Sequence, residues 1–542
     1  MVEGLMMDWP LVLTHFLDRA RRLHHRRVIA SRHAGGIHRY SFGDFARRAD
    51  RLAAALTALG VRRGDRVGTF GWNTWRHLEA YFAVPCMGAV LHTINVRLFA
   101  DQLVYVVNHA GDRVVLVDAS LLPVFRKIRA RLGTVERVIV MPDTPGGMEP
   151  GELDYEELLA ARGDGFPWPA LDEEEAAALC YTSGTTGHPK GVLYSHRALV
   201  LHTLGMSIGD AFQLRERDVL LAIVPMFHAN CWGLPFGAAM LGSAVVLPGP
   251  HLLPADLADL IESEGVTFIG GVPTIITALY RYLKESGRRP ATLRQIIVGG
   301  SALSRTLLEG FEKEFGVELV HAWGMTELSP AGTVSRLRGQ MEQWPEEERT
   351  RVKLMQGSPF PLVELRVVGE DGTEAPWDGR TAGELQARGP WVVRQYYEDP
   401  ASADRFVDGW FRTGDVAAID DWGFARLVDR TKDMVKSGGE WISSVDLENA
   451  IMGHPGVAEA AVIAVAHPKW CERPLACVVP RPGLEAQVTR ETIRTFLMGK
   501  VADWWLPDDV VVIDAVPKTS VGKFDKKVLR ERFKDHVWPE VS

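Results

Sequence analysis

The sequence lacks the features that mark several broad classes of protein. Its five cysteines are scattered and include no C-x-x-C pair, which favours a reducing compartment over a disulfide-rich framework. No apolar run approaches the roughly 18 residues that a membrane span needs. The net charge of −8 is spread along the chain, and no internal repeat stands out. These absences predict a globular, cytoplasmic protein with no transmembrane segment and no nucleic-acid partner.

A basic cluster, "RARRLHHRR", lies near the N-terminus at residues 19–27. No apolar region follows it, and Asp8 and Asp18 argue against a transit peptide. We therefore expect an amphipathic surface helix at this cluster. The sequence leaves open both peripheral contact with a membrane and a homodimer.

The chain is too long, at 542 residues, for a single hydrophobic core. From Asp65 onwards, strand and helix patterns alternate, which predicts two α/β sheets with covering helices. Short strands and turns between about 355 and 428 predict a β-rich subdomain. A charged stretch with glycines follows. We therefore predict an N-terminal domain at 1–428, a hinge at 429–434 and a small mobile C-terminal α/β domain at 435–542.

The stretch "YTSGTTGHPKG", which runs from Tyr181 to Gly191, combines glycines, hydroxyl residues and one lysine. Glycine lets the backbone approach a ligand closely, and hydroxyl and N–H groups are donors suited to phosphate oxygens. The stretch therefore predicts a polyphosphate site, although Lys190 does not stand where the P-loop of common NTPases has its lysine. By itself, such a turn could also be structural.

Three other stretches contain side chains suited to a nucleotide. In "HAWGMTE", Trp323 could stack on a base and Glu327 could hold Mg²⁺. In "WFRTGD", Asp415 could accept hydrogen bonds from a ribose, and in "PKTSVGKFDKK", Lys523 follows a glycine at a flexible tip. Each has an ordinary alternative, namely a core tryptophan, a surface glutamate, a turn aspartate or a solvated lysine.

The order and spacing of these stretches over nearly the whole chain resemble the adenylate-forming superfamily of acyl-CoA synthetases, luciferases and adenylation domains. The segments "TSGTTGHPKG", "WGMTE", "RTGD", "DRTKDMVKSGGEWIS" and "KTSVGK" carry the resemblance. The stretches "VPMFHANCWGLP" and "KSGGEWISSVDLEN" are most similar to fatty acyl-CoA synthetases. The resemblance implies an acid–thiol ligase acting on medium- to long-chain fatty acids. Fatty acid and ATP would give acyl-adenylate and diphosphate, and CoA would then displace AMP, with Mg²⁺ as cofactor.

The resemblance also implies roles for individual residues. The expected catalytic residues are Lys523, Glu327 and Thr182, of which Thr182 and Glu327 would contact the metal. The expected nucleotide-binding residues are Thr182, Ser183, Gly184, Thr185, Thr186, Gly187, Lys190, Gly300, His321, Ala322, Trp323, Thr326, Asp415, Arg430, Lys432, Lys436 and Trp441. Gly438 and Gly439 would meet the pantetheine of CoA, and Asp429 would serve as the hinge.

The acyl pocket is expected beside "PMFHANCWGLP", where His228 and Trp232 would lie near the reacting carboxylate.

Two departures from the family pattern matter. Trp323 stands where the family most often has tyrosine, and a larger ring still stacks. The "MFHANCW" region contains no aspartate that could bind the α-amino group of an amino acid, as amino-acid-activating relatives have there, so amino acids are not expected as substrates. An aryl or short-chain acid ligase, a luciferase and a non-catalytic acyl-lipid-binding homologue are the alternatives.

Overall fold

Helices and strands alternate along most of the chain in the computed structural model, which describes residues 4–143, 148–182, 188–430, 433–437, 440–467, 469–518 and 524–539. The α-helices are α1 (Thr14–Arg22), α2 (Phe42–Ala58), α3 (Trp75–Cys86), α4 (Ala100–Ala110), α5 (Leu122–Arg129), α6 (Tyr155–Ala160), α7 (His196–Ser207), α8 (Leu234–Leu241), α9 (Pro254–Ser263), α10 (Pro273–Ser286), α11 (Arg305–Glu309), α12 (Glu346–Leu354), α13 (Ser444–Met452), α14 (Arg490–Leu497) and α15 (Lys526–Arg532).

The strands are short, and most follow or precede a helix. They are β1 (Val28–His33), β2 (Gly36–Ser41), β3 (Arg66–Phe70), β4 (Val90–Thr93), β5 (Asp112–Asp118), β6 (Arg137–Met141), β7 (Glu152–Asp154), β8 (Ala176–Tyr181), β9 (Gly191–Ser195), β10 (Val219–Ala222), β11 (Ala244–Leu247), β12 (Phe268–Gly271), β13 (Gln295–Gly299), β14 (Glu318–Gly324), β15 (Ala331–Val334), β16 (Ser358–Pro359), β17 (Glu364–Val368), β18 (Gly383–Arg388), β19 (Phe406–Val407), β20 (Trp410–Ile419), β21 (Ala425–Arg430), β22 (Val435–Ser437), β23 (Glu440–Ile442), β24 (Val457–His467), β25 (Cys471–Pro480) and β26 (Asp509–Val512).

The helix α4 illustrates how the sequence pattern determines packing. Its buried residues Leu103, Val106, Val107 and Ala110 recur at intervals of three and four, so they form one face. Gly111, at φ 70°, ends the helix in the left-handed conformation that glycine adopts without steric cost. The buried face packs in a core cluster with apolar residues of β5 and β6. This is the helix-on-sheet layer that the alternating pattern predicts.

Two α/β sheets form the first of two compact units, which comprises Met1–Leu354, Pro359–Glu364 and Arg388–Phe411. One sheet has the strand order β7-β6-β5-β3-β4-β8-β9 and is parallel except for the β8/β9 pair. In the other, strands run in the order β15-β14-β13-β12-β10-β11-β1-β2, with antiparallel pairs only at β14/β15 and β1/β2 within that run. The parallel strands β12, β13 and β14 therefore end at one common edge.

The second unit comprises Met355–Ser358, Leu365–Ala387 and Arg412–Ser542. It contains antiparallel β-structure, in which β20 pairs with β18 and β21, followed by a sheet in the order β23-β22-β25-β24 with β26 on β25. The strand β24 alternates between two cores, since Val462 packs with the α13 cluster and Ile463 with the α15 cluster. Ser443 caps α13 by accepting a hydrogen bond from the Asp446 N–H.

The predicted architecture of two α/β sheets, a β-rich subdomain and a small C-terminal α/β domain is confirmed. The proposed domain limits and the hinge at 429–434 stay predictions. The N-terminal helix was predicted over residues 19–27, but it spans Thr14–Arg22. Its buried face is formed by Phe16, Leu17 and Ala20, and this apolar face begins before the basic cluster. In the described residues, no helix is long and apolar enough to cross a membrane.

Candidate nucleotide and acyl site

The hairpin of β8 and β9 presents the predicted phosphate loop. Cys180 pairs with Val192 and Tyr181 with Gly191. At the end of the hairpin the Thr182 N–H donates to the Lys190 carbonyl at 2.9 Å, and the Lys190 N–H donates to Thr182 Oγ1 at 3.1 Å. The hairpin therefore holds Thr182 and Lys190 side by side at the neck of the loop. The predicted residues Ser183, Gly184, Thr185, Thr186 and Gly187 lie outside the described residues.

Glu327 lies in a turn that follows β14, and it is 6% exposed. The Tyr194 hydroxyl, on the hairpin strand β9, donates to the Thr326 carbonyl at 2.7 Å and so fixes this turn to the hairpin. The Tyr396 hydroxyl donates to Glu327 Oε1 at 2.6 Å. The pKa of Tyr396 is raised, mainly because the phenol is buried and secondly because the Glu327 carboxylate is nearby. The phenol therefore keeps its proton and remains a donor.

The residues predicted around adenine lie at the carboxyl ends of β13 and β14. In this pair of parallel strands Val298 is in register with His321, and Gly299 with Ala322. Gly300 follows β13 directly at φ 88°. His321 is buried, and its Nδ1 lies 2.9 Å from the Leu354 carbonyl. Because a carbonyl only accepts, Nδ1 carries the proton, and the imidazole of His321 is fixed in one tautomer when neutral.

Trp323 is 8% exposed, and Gly332 provides the space for its ring. The two residues lie on the paired strands β14 and β15, and a Cβ at Gly332 would lie 2.5 Å from Trp323 Cζ3. Such a contact is far below van der Waals distance, so only glycine fits beside the ring. The indole is thus held rigidly on this side. A rigid aromatic plane is what stacking on a base requires.

The predicted acyl site contains a left-handed turn. Ala229, Asn230, Cys231 and Trp232 have φ values of 41°, 52°, 54° and 57°. Left-handed backbone costs roughly 1–2 kcal/mol per non-glycine residue, and four in a row require support from their surroundings. The Cys231 N–H donates to the His228 carbonyl at 3.0 Å, and the Cys231 thiol donates to the Val224 carbonyl at 3.0 Å. These contacts fix the turn to the end of β10.

The turn carries Trp232 to the common edge of the parallel strands. Its ring is 7% exposed and lies over Gly270 on β12 and Gly299 on β13. A Cβ at Gly299 would lie 3.3 Å from Trp232 Cη2 and 3.1 Å from the Ala322 carbonyl oxygen. Trp232, a candidate acyl-binding residue, and Ala322, a candidate adenine-binding residue, therefore both lie next to Gly299. His228 is half-buried at the start of the same turn.

The second unit contains the candidates for ribose and hinge. Asp415 on β20 is in register with Arg430 on β21, and the adjacent pair is Val416 and Asp429. Lys436 lies on β22, where its N–H donates to Glu472 Oε2 at 2.8 Å. The predicted residues Lys432, Gly438, Gly439 and Lys523 lie outside the described residues, as do the side chains of Arg430 and Trp441.

The hinge candidate Asp429 belongs to a buried charge network. Its Oδ2 accepts from the Ser444 N–H at 2.6 Å and from the Ser444 hydroxyl at 2.5 Å. The Lys526 ammonium contacts Ser444 Oγ at 2.5 Å and Glu448 Oε1 at 2.6 Å. Burial raises the pKa of Glu448 to about 7. Burial alone would lower the pKa of Lys526, but attraction by Glu448, Asp429 and Asp433 raises it. The network therefore joins the hinge candidate to α15, which begins three residues after Lys523.

The predicted metal contacts are oxygen donors, the ligand type that Mg²⁺ prefers. They are the Thr182 hydroxyl and the Glu327 carboxylate, one oxygen of which accepts from Tyr396. Within the described ranges, no group of three or more His, Cys, Asp or Glu is suited to a metal. Mg²⁺ typically takes one or two carboxylates and completes its shell with phosphate and water, so this donor set fits the ion.

Comparison with known proteins agrees with this geometry. The family model described as AMP-binding enzyme matches residues 16–397, and that described as AMP-binding enzyme C-terminal domain matches residues 446–523. The chain belongs to the AMP-binding enzyme family. The two matched ranges together include the sheets that carry Thr182, Glu327 and Trp323 and most of the predicted C-terminal domain.

Three relatives of this AMP-binding enzyme match almost their entire length. A long-chain-fatty-acid–CoA ligase of Thermus thermophilus is 49% identical over 98% of this chain and 97% of its own. A 3-methylmercaptopropionyl-CoA ligase of Ruegeria lacuscaerulensis is 44% identical over 98% and 99%. A medium-chain-fatty-acid–CoA ligase of Ectopseudomonas oleovorans is 43% identical over 98% of each chain. A solved anthranilate CoA ligase in complex with anthranoyl-AMP is 25% identical, with a TM-score of 0.87 over 97% and 98% of the two chains.

These matches confirm the predicted resemblance and the predicted enzyme class. The AMP-binding enzyme is an acyl-CoA ligase of the acid–thiol type. Membership implies ATP and CoA as co-substrates, and the substrates are small molecules. The roles of individual residues stay predictions.

Sequence reasoning missed one set of residues beside this site. Tyr396 contacts Glu327, while Asp399 and Ser402 contact Lys190. The letters "QYYEDP", with two aromatic residues beside acids, were the available signal. Their partners lie far away along the chain, however, and no local pattern connects them.

Proposed function

We propose that this AMP-binding enzyme is an ATP-dependent fatty acyl-CoA synthetase, with a preference for medium to long chains. The observation that carries the proposal is that Trp232 and Ala322 both lie next to Gly299. The apolar ring of Trp232 therefore lies next to the candidate adenine site. In α/β sheets, ligands bind at the carboxyl edge of the strands, and these residues lie at that edge. The names of relatives at 49% and 43% identity support the fatty-acid substrate class.

The first half-reaction joins a carboxylate to the α-phosphate of ATP and releases pyrophosphate. Both reactants are anionic, so the site must neutralise and orient the crowded oxygens. In this proposal the loop beyond Thr182, together with Lys190 and Lys523, supplies donors and positive charge. Mg²⁺, held by Thr182 and Glu327, would neutralise further phosphate charge when bound. Tyr396 keeps Glu327 oriented by its hydrogen bond to Oε1.

Adenine would lie against Trp323, with Gly300, His321, Ala322 and Thr326 around it, and Asp415 would bind the ribose. In the second half-reaction the thiol of CoA attacks the acyl carbonyl and AMP departs. Gly438 and Gly439 are proposed to admit the pantetheine, with Arg430, Lys432, Lys436 and Trp441 closing on the nucleotide. Since one small domain serves both steps, we propose that it turns at Asp429 between them.

A second candidate is a ligase for short carboxylic acids, favoured by the 44% identical 3-methylmercaptopropionyl-CoA ligase. One experiment separates the two. CoA-dependent AMP release is measured with acids from acetate to palmitate, together with benzoate and 3-methylmercaptopropionate. An apolar tunnel contributes roughly 0.8 kcal/mol for each buried methylene, or about fourfold in kcat/KM. A steady rise up to eight or more carbons supports the proposal, whereas an optimum at the short acids or at benzoate refutes it.

A further inference from the structure

The segment at residues 391–402 contacts both parts of the proposed phosphate site. The Val393 N–H donates to the Glu327 carbonyl at 2.8 Å, and the Tyr397 N–H donates to the Gly191 carbonyl at 2.8 Å. A Cβ at Gly191 would lie 3.1 Å from Tyr397 Cβ, so the two backbones approach closely. The segment is thus fixed by backbone bonds to the metal candidate on one side and to the loop neck on the other.

The side chains of this segment hold the Lys190 ammonium. Its Nζ lies 3.5 Å from Asp399 Oδ2, contacts Ser402 Oγ, and lies 4.8 Å from the centre of the Tyr396 ring. Ser402 is buried, and its hydroxyl donates to Asp399 Oδ2 at 2.6 Å. Since the hydroxyl of Ser402 donates its hydrogen bond to Asp399, it accepts a hydrogen bond from Lys190. The hydrogen bond from Ser402, together with the charge of Lys190, lowers the pKa of Asp399 despite partial burial.

The contact between Lys190 and Asp399 is weak enough to be replaced by a ligand. The side chains of Lys190 and Asp399 are 31% and 26% exposed, so water screens their attraction. Pairs of this kind change an equilibrium by no more than about fivefold. A polyphosphate brings several negative charges to the same ammonium and can therefore displace the carboxylate. A fully buried pair would not exchange so readily.

We propose that Asp399 and Ser402 hold Lys190 while the phosphate loop is empty, release it to the phosphate oxygens of ATP, and take it back as pyrophosphate leaves. The proposal rests on the phosphate-binding role assigned to Lys190 above. It makes Asp399 and Ser402 positioning residues that weaken the binding of both ATP and pyrophosphate. The benefit to the enzyme is faster departure of the first product.

The test compares five proteins, namely the wild type, Asp399→Asn, Lys190→Met, the double variant of these two and Glu398→Gln, by calorimetric titration with ATP and Mg²⁺, and with pyrophosphate and Mg²⁺. Asp399→Asn should bind both ligands about two- to fivefold more tightly than the wild type, because Lys190 no longer has a competing carboxylate. In a Lys190→Met background, Asp399→Asn should change neither affinity. Glu398→Gln removes an exposed charge next to Asp399 and serves as the matched control for general charge loss. Its affinities should stay at the wild-type value.

Activity supplies an independent readout. Asp399→Asn should lower KM for ATP and raise product inhibition by pyrophosphate, without changing the acid preferred. If Asp399→Asn does not fold, Ser402→Ala should move both affinities in the same direction. Equal effects of Asp399→Asn and Glu398→Gln, weaker ATP binding, or an effect that persists without Lys190 would each overturn the proposal. These results are distinct from a failure of the proposed function, which would appear as an optimum of the wild type at the short acids or at benzoate.

Discussion

Replacement of Trp232 is the most direct test of the acyl pocket. The ring is 7% exposed and lies against Gly270 and Gly299, so Trp232→Ala removes a large buried side chain at the common edge of the strands. A tryptophan with only a packing role should cost about 3–5 kcal/mol of unfolding free energy when it is truncated. A tryptophan that limits the tunnel should, in addition, change which acids are accepted.

The size of that change follows from the apolar area that a longer acid buries. Each added methylene contributes roughly 0.8 kcal/mol, or about fourfold in kcat/KM. If the space left by the indole admits two further methylenes, the ratio of kcat/KM between acids two carbons apart should change by about 15-fold. Trp232→Phe keeps part of the ring and should produce a smaller change in the same ratio.

The assay is CoA-thioester formation with saturated acids of increasing length, paired with thermal unfolding of each variant. Trp75→Ala is the control, because Trp75 is 5% exposed and its ring packs against the rings of His33 and His38. It should destabilise the protein and leave the chain-length profile unchanged. If Trp232→Ala behaves like Trp75→Ala, Trp232 is a packing residue and the pocket lies elsewhere.

The other predictions concern the second unit. Lys523→Ala should slow adenylation by about 100-fold or more and largely spare thioester formation from supplied acyl-adenylate; equal losses in the two half-reactions would refute its role. Asp429→Pro, which fixes φ, should impair one half-reaction more than the other, and wild-type rates in this variant would place the hinge elsewhere. Ser444→Ala removes only the hydroxyl contact to Asp429, does not fix φ, and should impair both half-reactions alike. Because the folded-state pKa of Glu448 is raised from 4.5 to about 7, its stabilising effect is complete below pH 4.5 and is lost as pH rises through 7. In urea unfolding, the stability that Glu448→Gln loses relative to the wild type should therefore be larger at pH 5 than at pH 8, and a pH-independent difference would contradict this.

The architecture could be predicted because its signals are local. The alternating pattern predicted from Asp65 onwards begins with β3, and in the predicted C-terminal α/β domain α13 begins at Ser444 with Ser443 as its cap. Apolar periodicity and capping residues act within one element, so the sequence of that element contains the information.

The residues at 391–402 could not be predicted, because their function depends on distant partners. Tyr396 is 69 residues from Glu327, and Ser402 is 212 residues from Lys190. No periodicity or spacing links such pairs in a single sequence. Aspartate and serine are also common in ordinary turns, so these letters alone favour a structural interpretation. Only the packing of the segment against both β9 and the turn after β14 reveals the connection.

The left-handed turn at residues 229–232 shows how far local propensity can be overridden at a candidate site. Asparagine tolerates this conformation, but alanine, cysteine and tryptophan do not favour it, so the sequence predicts an ordinary loop. A relaxed loop would lower the backbone energy, yet it would lose the bonds from Cys231 to His228 and Val224. It would also move the indole of Trp232 away from Gly270 and Gly299, because the direction of Cβ follows φ and ψ. Strain that persists because it positions one side chain against a ligand edge is characteristic of functional sites, and this turn is the strongest structural reason to place the acyl carboxylate beside Trp232.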